Sequence, residues 1–100
     1  MKGKESEGLL LNATTLRLRE TELRWTERDG EVVVRDERRS MSYTLNHSAA
    51  VIWVKIAEGA ATPELVEALC EEYGVDTDTA TEDVERFIAA LEDYALLESD

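Results

Sequence analysis

Cys70, His47 and three adjacent acid pairs, Glu71-Glu72, Glu82-Asp83 and Glu92-Asp93, are the residues of this sequence best suited to chemistry. A nucleophile needs a base beside it, and a structural or catalytic metal needs several ligands at defined spacing. The single His stands at the start of a helical pattern, where a surface position is expected. The single Cys falls on an apolar helical stripe, which suggests an inert, buried thiol. Neighbouring residues on a helix point about 100° apart, so the paired acids do not share a proton or an ion. The five glycines fall singly, which leaves no glycine-rich loop to cradle a phosphate. The expectation is a binding protein with no catalytic residue, no metal site and no cofactor.

One hundred residues with 43% apolar content suit one small domain with a modest core. No apolar run approaches the roughly 20 residues that span a bilayer. The start, MKGKESEGLLLN, has three consecutive leucines, against the about 7–15 apolar residues of a secretory segment. A cytoplasmic protein without membrane attachment is expected. Its charge of −12 is unevenly placed: residues 1–57 hold ten Lys/Arg against nine Asp/Glu, whereas residues 58–100 hold Arg86 alone against fourteen acids. So acidic a second half repels phosphate backbones and disfavours nucleic acid as a partner.

The elements follow from period and turn chemistry. Residues 1–15 show no sustained period and read as a mobile tail, leaving 16–100 as the folded domain. Leu16 and Leu18, then Leu23 and Trp25, alternate with Arg17, Arg19 and Arg24, the rhythm of extended chain with one apolar face. Asp29-Gly30 suits the two positive-φ positions of a type I′ turn. A two-residue loop there pairs Arg28 with Glu31 and Trp25 with Val34, predicting a hairpin of Leu23–Arg28 and Glu31–Asp36. After Glu37-Arg38-Arg39-Ser40, Met41–Leu45 returns as a third strand of a meander.

Asn46 is a suitable cap for a helix from His47 to about Glu58, stopped by Gly59. Thr62-Pro63-Glu64 offers a cap, a proline at the first helical position and an acid in the first turn of a second helix. Leu65, Val66, Leu69, Cys70 and Tyr73 mark its inner face, and Gly74 ends it. Asp76 or Thr77 caps a third helix, with Ala80, Val84, Phe87, Ile88, Leu91 and Tyr94 or Ala95 facing inward. Trp25 and Trp53 both fall on apolar faces and are expected in the core. The order is β-β-β-α-α-α, an α+β domain.

The run Asp29-Gly30-Glu31-Val32-Val33-Val34, then Tyr43-Thr44-Leu45-Asn46 and Ala50-Val51-Ile52-Trp53, resembles the PqqD family, named for a protein of pyrroloquinoline quinone biosynthesis. Glu58-Gly59, Thr62–Glu64, Tyr73-Gly74-Val75-Asp76 and Asp83-Val84-Glu85-Arg86-Phe87 with Leu91 continue the likeness in order, over residues 16 to 97. Family members often carry a Gly in the second turn, where this chain reads Glu37-Arg38-Arg39-Ser40.

That resemblance implies a winged helix-turn-helix-like domain, a three-stranded antiparallel meander followed by three helices. It further implies a recognition element for leader peptides of ribosomally made, modified natural products, partnered by a separate modifying enzyme such as a leader protease or a radical enzyme. The leader is expected to add to the third strand, Met41, Ser42, Tyr43, Thr44 and Leu45, and to lay apolar side chains on Ala80, Asp83, Val84 and Phe87 of the third helix. The residues themselves support a free edge there, since the strand carries neither proline nor lysine to blunt it. Two other readings stay open. A winged helix can present its third helix to DNA, although here Glu82, Asp83, Glu85, Glu92 and Asp93 face Arg86 alone. The domain could also be an adaptor for an unrelated protein.

Overall fold

A computed structural model describes residues 15–98 and bears out the meander and the three helices. Strand β1, Thr15–Leu16, is followed by β2, Leu23–Arg28, β3, Glu31–Asp36, and β4, Met41–Leu45. Helix α1 spans His47–Glu58, β5 spans Ala60–Ala61, α2 spans Thr62–Tyr73 and α3 spans Thr77–Asp93. None of these helices is long and apolar enough to cross a membrane. The expected tail lies outside the described residues except for Thr15, which pairs with Ala61.

The main sheet has the order β2-β3-β4, antiparallel throughout. Arg28 pairs with Glu31 and Trp25 with Val34 across a turn in which Asp29 and Gly30 have φ of 55° and 81°. The exposed His47 ring lies 2.8 Å from where a Cβ on Gly30 would stand and would have to swing aside for one, so it is chiefly the backbone, at φ 81°, that favours glycine at position 30. The second turn lacks glycine yet places Ser40 at φ 57°. Asp36 Oδ1 holds that turn by accepting the N–H groups of Arg38 and Arg39, at 3.1 and 3.4 Å.

Alternation decides the faces of the sheet. Val32, Val34 and Asp36 of β3 are buried between exposed Glu31, Val33 and Arg35. The inner face packs on α1, whose Ile52, Trp53 and Ile56 join Leu65, Leu69, Ala80, Val84, Leu91 and Leu96 in one core. Each such large side chain contributes about 1.5–3 kcal/mol by leaving water. Sequence reading did not anticipate the small second sheet, in which β1 pairs with β5. Leu18 also bridges to Leu97, so the extended segment before the hairpin ties the α1–α2 junction to the chain's end.

Several expectations need correction. Trp53 is fully buried, but Trp25 keeps 37% of its surface exposed, because it lies on β2 at the sheet margin and meets Trp53 edge to face, ring centroids 6.2 Å apart. The cap position of α2 is Ala61 rather than Thr62; with no side-chain oxygen there, Glu64 supplies the bond, accepting the Ala61 N–H at 2.8 Å. Tyr73 and Tyr94 are each 43% exposed, since they stand at helix ends where the inward face is running out. After α3 the chain turns through Ala95, at φ 58°, and buries Leu96 in their place.

Candidate functional site

The register fixes which backbone groups of β4 are free. A two-residue type I′ loop makes Arg28 and Glu31 a hydrogen-bonded pair, and such pairs recur at every second residue. The bond from Glu37 N–H to Glu22 C=O, 2.9 Å, continues the same phase beyond the strand ends. Glu31, Val33 and Arg35 therefore bond β2, and Val32, Val34 and Asp36 turn their backbone groups to β4. Their partners there are Leu45, Tyr43 and Met41. By alternation, the N–H and C=O groups of Ser42 and Thr44 point away from β3, along the edge of the sheet that no other described strand covers.

Beside this edge runs α3. On the inner face of β4 the Tyr43 ring meets the Tyr94 ring, centroids 5.0 Å apart. Asn46, directly after β4, shares a groove of about 350 Å³ with Ala49 and Ile52 of α1 and Asp83, Arg86, Phe87 and Ala90 of α3. With Tyr43 at the end of α3 and Asn46 near its middle, strand and helix run side by side in opposite senses. Asn46 fixes the corner by accepting the Ala49 N–H with its side chain, 3.2 Å, which lets α1 begin as β4 ends. At the other helix start, Asp76 accepts the Thr79 N–H at 2.8 Å, and this bond holds its carboxyl below the ordinary range.

The structure places the residues expected at the site in two groups, one on β4 and one on α3, linked by the Tyr43–Tyr94 ring contact and by Asn46 at the groove. Met41, Ser42 and Thr44 are exposed, Tyr43 and Leu45 half-buried on the inner face, and Asp83 and Phe87 line the groove. Ala80 and Val84 do not join them: both are 0% exposed in the core and have no surface to offer a ligand. They mark the inward direction of α3, whereas Asp83, Phe87, Ala90 and Tyr94 lie on the flank, about 20–80° from Ala80, at the i, i+4, i+7, i+11 spacing of one helix face. Ala90 and Tyr94 belong to this second stripe, which the sequence reading passed over in favour of the inward one; Arg86 lies beside the stripe, about 120° from Ala80. Arg86 holds Asp83 at 3.3 Å across the groove rim, both side chains largely in water.

Chemically the site offers main-chain donors and acceptors in a row, an apolar floor and few charges. Among the described residues no three His, Cys, Asp or Glu side chains are grouped to hold a metal. Cys70 is half-buried and His47 exposed. An exposed strand edge beside an apolar helical groove is the arrangement that strand-accepting, peptide-binding domains use. The chain belongs to the PqqD family, matching the description "Coenzyme PQQ synthesis protein D (PqqD)" over residues 31–97. It is similar in structure to TbiB1 in complex with the TbiA(beta) leader peptide, with TM-score 0.76 and 30% identity, covering 84% of this chain and 96% of that one. It is also similar to lasso peptide synthetase B1 complexed with its leader peptide, with TM-score 0.74 and 25% identity, covering 84% and 98%. A comparison with curated protein sequences found no match.

Proposed function

We propose that this protein is a non-catalytic peptide chaperone that binds the leader of a ribosomally made precursor and presents it to a separate modifying enzyme. The observation that carries this reading is the open edge of β4, with Ser42 and Thr44 turned outward, lying along the groove of α3. The leader adds as a fourth strand, bonding to those two residues, and sends alternate side chains inward over Tyr43 toward Phe87, Ala90 and Tyr94. Main-chain bonds give affinity for any extended peptide, and the groove selects among them. The leader-bound state of both similar structures supports this assignment. Binding raises the local concentration of precursor at the enzyme without chemistry in the binder, and the protein acts in the cytoplasm, where such precursors are made. The partner enzyme is a leader protease or a radical enzyme, as in lasso-peptide or quinone-cofactor pathways.

The direct test is a titration of the full-length chain into a fluorescently labelled leader from the precursor gene nearest its own. Saturable binding at or below micromolar concentration is expected, with no cleavage or modification of the peptide by the purified domain. Absence of saturable binding at tens of micromolar would overturn the reading. DNA binding has no observation in its favour: the acids at Glu82, Asp83, Glu85, Glu92 and Asp93 are all exposed on α3.

A further inference from the structure

The outer face of the sheet carries an arrangement that strand addition alone does not use. Arg24 on β2 and Arg35 on β3 are directly opposite each other, both on that face. Like charges at directly opposed positions destabilise a sheet. Arg24 is relieved by Glu37, 3.1 Å away. Arg35 has no carboxylate partner among the described residues. It instead reaches onto β4, donating from Nη1 to Ser42 Oγ at 3.2 Å, the side chain directly opposite it on the edge strand of the sheet.

We infer that Arg35 is a specificity-determining residue that selects a peptide with Asp or Glu opposite Ser42. The inference rests on strand addition at β4. A fourth strand lies about 4.8 Å beyond β4, and residues opposed across a ladder point to the same face. The peptide residue opposite Tyr43 therefore enters the groove, whereas the one opposite Ser42 emerges on the outer face, next to the guanidinium. A carboxylate there accepts the charge-assisted bonds that Arg35 lacks and neutralises the charge that Arg24 repels. The next outer position, opposite Thr44, adjoins Val33, which is 49% exposed, and suits an apolar or β-branched side chain.

The test is selection from a yeast-displayed library of random twelve-residue peptides on the full-length wild type, Arg35→Gln and Arg35→Glu. Arg28→Glu is the control, an outer-face arginine two strands from the edge. Wild type is expected to enrich an acid at one position of an alternating apolar pattern. Affinity of the selected peptide should fall at least tenfold on Arg35→Glu and remain unchanged on Arg28→Glu. Replacing the acid of the peptide by Lys should restore binding to Arg35→Glu. Edge-bound peptides that carry no acid, or whose acid preference survives in Arg35→Glu, would overturn the role of Arg35 while leaving strand addition intact. Recovery of no peptide, or only of peptides bound equally well by Thr44→Pro, would overturn strand addition itself and this inference with it.

Discussion

Arg19 and Asp36 form a buried ion pair, Nη2 to Oδ1 at 2.6 Å, that joins the segment before β2 to the turn leading into β4. The same guanidinium donates to the carbonyls of Thr21, Glu22 and Ala95. One side chain thus holds the start of the hairpin, the end of the chain after α3 and the turn that launches the edge strand. Arg19→Ala leaves Asp36 buried and unpaired, and a loss of about 3–5 kcal/mol is expected in denaturant unfolding. Arg19→Lys should recover little, because a point charge cannot reproduce the planar fork.

The pair also sets an acid limit on stability. Burial alone would raise the Asp36 carboxyl; the bond from Arg19, the N–H groups of Arg39 and Arg38 and the Arg19 charge outweigh it and hold the pKa below its ordinary value. A depressed folded-state pKa stabilises the protein above the unfolded value and loses that contribution as pH falls through the folded one. Thermal melts should show this contribution constant from neutral pH down to about 5 and fading below the ordinary carboxylate range of about 4. Asp36→Asn should be less stable at neutral pH and flatten that acid limb; an unchanged acid slope would contradict the argument.

The two tryptophans should separate in cost and in colour. Trp53→Ala empties a fully buried site and should cost about 3–5 kcal/mol. Trp25→Ala should cost about 1–2 kcal/mol, mostly the edge-to-face contact and part of the ring's burial. Trp25→Phe leaves Trp53 as the sole indole, and its emission should shift to the blue of wild type.

Backbone blocks on β4 should alternate in effect. Thr44→Pro removes an N–H that bonds no described strand and should leave the melting temperature within a few degrees while abolishing strand addition. N-methylation at Tyr43, introduced by ligation, removes a ladder bond to β3 and should destabilise the domain instead. If Thr44→Pro folds and still binds leader normally, the peptide does not occupy this edge.

Groove substitutions should distinguish binding from folding. Phe87 is half-buried at the groove, so Phe87→Ala should weaken leader binding by about 1–3 kcal/mol, with melts run beside the titration to separate out lost stability. The Tyr43 hydroxyl is buried with no hydrogen-bond partner among the described residues. Tyr43→Phe removes that uncompensated group, keeps the ring against Tyr94, and should be neutral or stabilising by up to about 1–3 kcal/mol.

Nearest-neighbour chemistry determined the elements. Asp29-Gly30 set the hairpin and its register, Asn46 and Asp76 set two helix starts, and Gly59 and Gly74 set two helix ends, because turns and caps depend on residues a few positions apart. Period alone placed β4 and the inward stripe of α3, and with the family motifs it pointed to the strand edge where we propose a peptide adds. Only the tertiary structure decided how far each side chain is covered. Ala80 and Phe87 share a helical face to within 20° of arc, yet one is sealed beneath the core and the other opens on the groove, since burial depends on what packs opposite. The same holds for Trp25, which alternation turns inward but which stands at the margin of the sheet. The clamp of Arg19 on Asp36 and Ala95, and the bond of Arg35 to Ser42 on the edge strand, join residues whose proximity arises only when the strands and the end of the chain are brought together.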